Sequence, residues 1–346
     1  MNFSNIQYFY LFAGTFIAVS LLTPIMRKIA LNYGVVDSPN AAHKTHKSPV
    51  PYLGGVAIVA GVTAVSYGAL ILSDYSTKTL TLASTVLIPA VLMGAIGLLD
   101  DVRNLSPWPR FIAQNLVAIV SAAILVSTKT VGSPTGSTLL DIFITVVWIV
   151  GLTNSINFLD NIDGGASGVV AIASTSLFLI AFQGGQILIA GLALALTGST
   201  LGFLLWNKPP ARIYMGDAGA LFLGLLISTL TVRLDPNPIN QYASFAIPIL
   251  IMSVPILDTS VAVVSRVARG ISPFQGGRDH LSHRLMGLGF SKRQSVASLW
   301  LLAAFFNALA WLISHASFSA EGLLTLVGAI SWVIAFFFFL KTKSLS

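Results

Sequence analysis

Acidic side chains recur at the ends of long apolar segments, where carboxylates are costly to bury. Five of them stand at three such ends, and these are Asp100, Asp101, Asp160, Asp163 and Asp217. A carboxylate at membrane depth usually lines a polar cavity and has a partner. One such acid alone is explained equally well as an ordinary charge at a membrane boundary, but five at three segment ends favour a shared site.

Carboxylates that face one another repel unless a cation lies between them. The chain contains no cysteine, so a metal site here depends on hard oxygen ligands, which suit Mg²⁺ and, as an alternative, Mn²⁺. Magnesium takes one or two carboxylates and completes its shell with water and substrate phosphates. The acids therefore predict a magnesium site that serves phosphoryl transfer.

A run of amides and acids follows the fifth apolar segment. Asn154 and Asn157 are three residues apart and share a face if the segment is helical, and Asp160 and Asp163 continue that spacing. A capped helix end followed by a glycine turn accounts for one such residue but not for four in register. The spacing predicts one helical face that forms a wall of ligands.

Basic and imidazole groups gather in two of the loops. Lys47 lies in the first of them, and His280, His283 and Arg284 lie in a later one. Such charges beside a span can also reflect membrane topology or attraction to anionic lipid. The alternation of His and Arg favours a loop that binds anions. A zinc site is a poor interpretation without cysteine.

The elements that position these residues must be membrane spans, because 55% of the chain is hydrophobic and only 9% is charged. A span needs roughly 20 mostly apolar residues. The sequence predicts an all-α, polytopic helical bundle that forms a single unit, residues 1–346, without internal repeats. Its eleven predicted spans are 8–26, 52–73, 80–99, 109–127, 138–156, 166–183, 186–205, 218–234, 242–264, 294–314 and 321–340.

The cations predict the orientation of this bundle. Alternating loops place sixteen Lys and Arg residues on one side and three on the other. The positive-inside rule makes the first side cytoplasmic, so the N-terminus is expected outside and the C-terminus inside. The net charge of +7 is thereby explained by topology, and no nucleic-acid partner is expected. Arg27 and Lys28 follow the first apolar run, which is not the pattern of a cleaved signal peptide.

Taken together and in this order, the motifs resemble those of the polyprenyl-phosphate N-acetylhexosamine-1-phosphate transferases. Within that family the resemblance is nearest to the bacterial undecaprenyl-phosphate N-acetylglucosamine-1-phosphate transferases. The matching motifs are Asp37-Ser-Pro39, His46-Lys47, Asp100-Asp101 with Asn104, Asn154 to Gly164, Tyr214 to Gly219, Pro255 to Thr259 and Asp279 to Leu285.

None of the departures from the family pattern removes a carboxylate, so they bear on the donor sugar more than on the reaction class. The departing residues are His43, Asn161, Gly165, Ala218, Ala220 and Ser282.

The resemblance implies roles for the acids. Asp217 is expected to be the main ligand of Mg²⁺, and Asp100 is expected to lie at the metal and to contact or deprotonate the acceptor phosphate, with Asp101 nearby. A phosphate monoester has its second pKa near ~6 and is largely ionised at neutral pH, so it needs little help from a base. We therefore expect the loss of Asp217 to be more damaging than the loss of Asp100.

Further roles are implied for the remaining site residues. The amides and acids that follow the fifth span are expected to hold the nucleotide and the polar network around the metal, and the loop cations to hold phosphates or sugar. Tyr214 is expected to stack on uracil and Lys47 to reach the nucleotide. The expected substrate-binding residues are Lys47, Asn154, Asn157, Tyr214, His280, His283 and Arg284.

The implied reaction is transfer of N-acetylhexosamine-1-phosphate from a UDP-sugar, expected to be UDP-GlcNAc, to undecaprenyl phosphate, with release of UMP. This would be the first membrane step in building a cell-wall or other envelope polysaccharide, such as lipopolysaccharide. The expected location is the bacterial inner membrane, with the active site on the cytoplasmic face and a homodimer as the family's implied assembly.

Three other functions agree less well with these residues. An ion-coupled secondary transporter predicts acids near the bilayer midplane and inverted repeats, whereas these acids crowd one face and no repeat is visible. A scaffold leaves the Asn and Asp residues unexplained. A phosphotransferase acting on a CDP-linked lipid predicts a different spacing of acids.

Overall fold

The computed structural model describes residues 5–37, 50–73, 76–128, 134–236, 241–272 and 277–343. Thirteen helices and one two-stranded sheet lie within these ranges. In chain order they are α1 Asn5–Tyr33, β1 Val36–Asp37, β2 Val50–Pro51, α2 Gly54–Leu72, α3 Thr77–Arg103, α4 Pro107–Ser127, α5 Thr138–Leu159, α6 Gly165–Gln183, α7 Ile187–Asn207, α8 Gly216–Arg233, α9 Gln241–Ile251, α10 Ser253–Ala268, α11 Leu281–Gly287, α12 Lys292–Ile313 and α13 Phe318–Lys341.

The predicted polytopic helical bundle is confirmed. Ten of the described helices, α1 to α8 together with α12 and α13, are long and apolar enough to cross a membrane. The pair α9 and α10 passes the same test when taken together, which raises the number to eleven. The protein is a multi-pass membrane protein, and the predicted orientation of its termini stays a prediction.

The ninth predicted span is not one straight helix. α9 and α10 are bent by 75° where they meet. Pro255 has no amide hydrogen, so the carbonyl of Ile251 lacks its usual helical donor. Asn307 on α12 donates its Nδ2 hydrogen to that carbonyl at 3.2 Å. The hydrocarbon region of a bilayer offers no water to a free carbonyl, so the amide of Asn307 supplies the hydrogen bond that Ile251 would otherwise lack.

α8 is the central helix of the bundle. Every residue from Ala218 to Thr231 is buried, although a helix at a surface would bury only one stripe. α8 contacts α2, α3, α5, α6 and α7. Asp217 lies in its first turn. The surrounding helices therefore hold the start of α8, and with it this carboxylate.

Small residues allow the helices around α8 to approach closely, as is usual in membrane bundles. Gly97 on α3 lies against the backbone of Asp217 and Ala218, and Gly55 on α2 lies against the backbone of Gly219. In both places a Cβ atom would overlap the neighbouring main chain. The absence of side chains at these two positions sets the distance between the acid-bearing turns.

Backbone hydrogen bonds from β2 and the start of α2 also hold the segment that leads into α8. β1 and β2 pair antiparallel, with Val36 opposite Pro51. Beyond β2, Gly54 N donates to Tyr214 O at 3.1 Å and Gly55 N donates to Met215 O at 2.8 Å. The residues that precede Asp217 are thus hydrogen-bonded to the start of α2.

Substitution of Gly97 by alanine is expected to destabilise the protein by about 1–3 kcal/mol, because the added methyl group must push α3 away from α8. Thermal unfolding of the detergent-solubilised protein measures this effect. Gly68→Ala on α2 is the matched control, since no atom lies within 4 Å of the added Cβ there. Equal melting temperatures for the two variants would contradict the close packing.

Candidate active site

A cavity of ≈ 540 Å³ opens at the end of the bundle where α3 and α5 end and α8 begins. Its acidic lining residues are Asp37, Asp100, Asp101, Asp160, Asp163 and Asp217. Its basic and aromatic lining residues are Arg110, Arg278, His280, His283, Lys292, Tyr52, Phe158 and Tyr214. All five acids singled out from the sequence therefore share one cavity.

An arginine lies between two of these acids. Arg110 Nη1 is 2.5 Å from Asp100 Oδ2 and 2.5 Å from Asp217 Oδ2. The other oxygens are occupied as well, because Asp100 Oδ1 accepts from Leu105 N at 2.8 Å and Asp217 Oδ1 accepts from Asn157 Nδ2 at 2.7 Å. The carboxylates of α3 and α8 thus share one cation contributed by α4.

Asp101 has a different environment from its neighbour. Its Oδ1 accepts from Asp217 N at 2.8 Å and its Oδ2 accepts from Ala218 N at 3.0 Å. These amides belong to the first turn of α8, whose N–H groups have no helical partner and whose dipole favours a negative charge. Both oxygens are therefore used to hold α8, and Asp101 positions Asp217 rather than offering a free ligand oxygen.

Asp160 follows α5 directly and lines the cavity. Across the part of the chain that the structure describes, its carboxylate makes no hydrogen bond. Burial raises the pKa of Asp160 well above its ordinary value. The negative charges of Asp217, Asp101 and Asp163 raise this pKa further. Asp160 is therefore a buried carboxyl group that no described donor stabilises in its charged form.

The predicted helical stripe is wrong beyond Asp160, because α5 ends at Leu159 and a turn follows. Gly164 closes that turn with a φ of 74°, a conformation that favours glycine. Asp163 still lines the cavity, but its Oδ2 accepts from Ala211 N at 3.0 Å. Asp163 therefore ties this turn to the segment that leads into α8.

Asn154, which the resemblance placed among the substrate-binding residues, does not line the cavity. It lies one turn before Asn157 on α5, and its Nδ2 donates to Gln114 Oε1 at 3.2 Å and to Val150 O at 2.8 Å. Asn154 thus joins α5 to α4. Only Asn157 of the two amides reaches an acid of the cavity.

The loop that carries His280 is held by buried ion pairs. Asp258 on α10 accepts from His280 Nδ1 and from Leu281 N, both at 2.7 Å. Arg266 donates to both oxygens of Asp279, at 2.9 and 2.7 Å, and its Nη2 lies 3.2 Å from His280 Nε2. Because a guanidinium can only donate, the ring hydrogen of His280 is on Nδ1.

Asp279 is charged in this network. Burial alone would raise its pKa, but the hydrogen bonds and positive charge of Arg266 outweigh burial, so the pKa of Asp279 lies below its ordinary value. Arg269 Nη2 adds a contact of 2.8 Å to the same carboxylate. His280 therefore reaches the cavity from a rigid support.

His283 lines the cavity close to His280, with their ring centroids 6.4 Å apart. Its Nδ1 is buried and has no hydrogen-bond partner among the residues that the structure describes. Burial lowers the pKa of His283 to about 4, because an apolar surrounding disfavours the charged imidazolium. At neutral pH this ring is therefore an uncharged group with an unused nitrogen at the cavity wall.

Arg284, predicted to bind a diphosphate or sugar, does not line the cavity. Its side chain is buried, and its Nη1 donates to Phe339 O at 2.9 Å and to Thr342 O at 2.5 Å. Its Nε donates to Asp279 O at 2.9 Å. The guanidinium is thus used to join α11 to the C-terminal end of α13, where free carbonyls favour a cation.

Tyr214 lines the cavity as expected, beside the acids. Burial raises the pKa of its hydroxyl, and the charges of Asp163, Asp37 and Asp160 raise it further, so it remains protonated and able to donate. Lys47 lies outside the described residues.

Comparison with known proteins shows the family to which this chain belongs. A family model described as glycosyl transferase family 4 matches residues 83–235. A probable undecaprenyl-phosphate N-acetylglucosaminyl 1-phosphate transferase of Bacillus subtilis (strain 168) is 35% identical over 311 residues, which cover 88% of this chain and 85% of that protein. The chain belongs to glycosyl transferase family 4.

Two further relatives in the family have similar names. A decaprenyl-phosphate N-acetylglucosaminephosphotransferase of Mycolicibacterium smegmatis is 31% identical, with 80% of this chain and 74% of that protein covered. An undecaprenyl-phosphate alpha-N-acetylglucosaminyl 1-phosphate transferase of Salmonella typhimurium is 26% identical, with 94% and 88% covered. The resemblance identified from the motifs is therefore confirmed at the level of the family.

The cavity has the donor set for a hard divalent cation, but not a cage for one. Within the described ranges, no three His, Asp or Glu side chains converge as metal ligands. Asp100 and Asp217 nevertheless already share the guanidinium of Arg110. Among the described residues the carboxylate of Asp160 has no hydrogen-bond donor. One or two carboxylates completed by water and phosphate oxygens is the usual arrangement for Mg²⁺, and the residues fit it.

Arg110 and Arg266 belong to the sixteen cations that the positive-inside rule places on the cytoplasmic side, and that rule predicts no contact for them. In the structure Arg110 contacts two acids and Arg266 holds Asp279. The signal was available in part, since a charged residue inside an apolar span usually has a partner. Pairing Arg110 with Asp217 across 107 residues, however, needs the tertiary structure.

Asp101→Asn is expected to destabilise the protein by about 1–3 kcal/mol, because the amide nitrogen of asparagine would face a backbone donor and leave it unsatisfied. Thermal unfolding in detergent measures the change. Asp235→Asn, an exposed site just beyond the opposite end of α8, is the matched control. An unchanged melting temperature for Asp101→Asn would contradict the anchoring role.

His283 is expected to make the protein acid-labile. Its pKa of about 4 in the folded state lies below the ordinary value of 6.5, so its stabilising effect is full above pH 6.5 and is lost as the pH falls towards 4. Melting temperatures of wild type and His283→Gln across this range should decline less steeply in the variant. His315→Gln, an exposed histidine in another loop, serves as control. Parallel profiles for wild type and His283→Gln would refute the expectation.

Proposed function

We propose that this protein transfers N-acetylglucosamine-1-phosphate from UDP-GlcNAc to undecaprenyl phosphate, forming a diphosphate-linked lipid and releasing UMP. The observation that carries the proposal is the gathering of Asp100, Asp160 and Asp217 from three helices around one cavity at one end of a membrane bundle. The names of the three relatives agree with it, since each is a transferase of this sugar phosphate to a polyprenyl phosphate.

The location of the cavity suits two substrates of unlike solubility. A polyprenyl tail stays in the bilayer while its phosphate lies at the interface, and a nucleotide sugar arrives from water. A cavity at the ends of membrane helices is accessible from both. The acids stand at helix ends and not in the middle of the spans, which disfavours the alternative of an ion-coupled transporter.

The reaction requires an oxygen of the acceptor phosphate to attack the phosphorus that carries the sugar. A new P–O bond forms, the bond to the UMP oxygen breaks, and UMP leaves with its electron pair. The acceptor is already largely ionised at neutral pH, so the protein contributes mainly position and charge compensation. Arg110, Arg278 and Lys292 line the cavity and supply positive charge for these phosphates.

We further propose that Asp217 and Asp100 hold Mg²⁺. When bound, the ion neutralises negative charge on the diphosphate of the donor. Asn157 orients Asp217 through the contact at 2.7 Å, and Asp101 fixes the turn from which Asp217 projects. Tyr214 offers an aromatic face at the cavity for the uracil ring.

The proposed setting is the inner membrane of a bacterium, with the cavity facing the cytoplasm. Support comes from the bias of sixteen cations against three and from the bacterial relatives. The homodimer implied by the family resemblance stays a prediction.

The proposal predicts that the purified protein releases UMP from UDP-GlcNAc only when both undecaprenyl phosphate and Mg²⁺ are present. Asp217→Asn is expected to lower kcat by at least about 100-fold, because it removes charge from the centre of the site. Asp100→Asn is expected to lower kcat less, by about tenfold, because the acceptor needs little help from a base. A coupled assay for UMP measures these rates.

Asp235→Asn is the control, since it makes the same chemical change on the far side of α8, away from the cavity. Its kcat should equal that of the wild type. Absence of UMP from folded wild-type protein with UDP-GlcNAc, and with other UDP-N-acetylhexosamines, would contradict the proposed reaction. A greater loss in Asp100→Asn than in Asp217→Asn would contradict the assigned roles.

A further inference from the structure

Arg110 occupies the gap between the two carboxylates proposed to hold the metal. We propose that Arg110 is an internal counter-cation, which competes with the divalent cation for Asp100 and Asp217 and must withdraw before the cation binds. The inference rests on the proposed function, since it concerns the same metal site. It assigns to Arg110 control over the metal affinity of the free enzyme.

Arg110 lies where a cation shared by these two carboxylates would bind. Asp100 Oδ1 is held by Leu105 N and Asp217 Oδ1 by Asn157 Nδ2, so each carboxylate turns only its Oδ2 towards the gap. Arg110 Nη1 contacts both Oδ2 atoms at 2.5 Å. A magnesium ion held by the same two Oδ2 atoms would need each of them at about 2.0–2.1 Å. The guanidinium nitrogen and the ion cannot occupy that position together.

Charge makes the competition unavoidable. An arginine side chain stays protonated at any pH that the protein tolerates, so it cannot give way by losing a proton. It can give way only by moving. A guanidinium that stayed in contact with the acids would repel a divalent cation at short range. It would also neutralise part of the negative charge that attracts this cation.

Arg110 is able to move without breaking other contacts. In the ranges that the structure describes, its side chain makes no hydrogen bond except those to Asp100 and Asp217. It is also the most accessible member of the trio, with 28% of its side chain exposed compared with 11% for Asp100 and 23% for Asp217. The residue projects from the first turn of α4 into the wide cavity, which offers room for another rotamer.

Two consequences follow for the protein without substrate. The acids are already paired, so the bundle is stable without metal although α3 and α8 bring their carboxylates together. The same pairing weakens metal binding, because the ion must displace a cation before it gains its ligands. Removing the arginine charge should therefore strengthen metal binding and make the fold more dependent on metal.

The test measures binding of Mn²⁺ alone, which accepts the same hard oxygen ligands and whose free concentration is read by electron paramagnetic resonance. Purified full-length wild type, Arg110→Gln, Arg110→Lys and Arg103→Gln are titrated in detergent without substrate. Arg103→Gln is the matched control, because it removes the same charge from an exposed position at the end of α3. Melting temperatures with and without Mn²⁺ are recorded in parallel.

The inference predicts that Arg110→Gln binds Mn²⁺ at least about tenfold more tightly than wild type, a change of about 1.4 kcal/mol. Arg103→Gln should remain within about twofold of wild type, since its charge is screened by water. Mn²⁺ should also raise the melting temperature of Arg110→Gln by more than it raises that of wild type. Arg110→Lys, whose ammonium lacks the planar fork, should bind Mn²⁺ about threefold more tightly than wild type.

Equal or weaker Mn²⁺ binding by Arg110→Gln would overturn the inference while leaving the proposed reaction intact. An equal gain in Arg103→Gln would also overturn it, because the effect would then be one of net charge. If Arg110→Gln does not fold, unchanged binding by Arg110→Lys has the same meaning. Absence of Mn²⁺ binding in every variant would count against the metal site itself, and so against that part of the proposed function as well.

Discussion

Mutual repulsion among the carboxylates at one end of a membrane bundle is the constraint on which the rest of this structure depends. Six aspartates line one cavity, and each must be compensated or held away from its charged form. Asp100 and Asp217 share Arg110, and Asp101 is compensated by the amides of the first turn of α8. The surrounding fold can be understood as the means of bringing these partners together.

The negative charge of Asp160 has no compensating partner among the described residues. Asp160 has no hydrogen-bond partner in the described part of the chain, and its pKa is raised by burial and by neighbouring negative charges. A protein that needed only stability would gain by replacing such an acid with a neutral residue. Its presence beside Asp217 is consistent with a cavity that awaits positive charge brought with a phosphate ligand.

A second set of charges has a different purpose. Asp279 is enclosed by Arg266 and Arg269, and Asp258 holds His280. The Arg266–Asp279 and His280–Asp258 pairs are buried, whereas Arg269 reaches Asp279 from an exposed position. Together they fix the loop that contributes His280 and His283 to the cavity wall. One side of the cavity is thus rigid while the other contains a cation, Arg110, that has few contacts. A rigid wall and a cation with few contacts together suit a site that positions a diphosphate and replaces Arg110 by a divalent cation.

The apolar sequence by itself determined most of the architecture. Because a bilayer demands long apolar helices, composition and length sufficed to predict eleven spans, and the structure agrees in number. The acids were recognisable for the same reason, since a charge near a span is costly and needs a purpose. Pro255 marks a weak point in the ninth span, but the sequence could not show that Asn307 on another helix supplies the missing donor.

Tertiary structure alone decided which polar groups meet. Asn154 and Arg284 have the residue types of ligands, yet they join helices, because Gln114 and the carbonyls of α13 lie within their reach. Asp163 left the predicted helical face because a glycine turn ends α5. Arg110 lies in the site because α4 places it between Asp100 and Asp217, which are distant from each other in sequence. Local periodicity specifies which face of a helix a side chain occupies, but only helix packing specifies what that face meets.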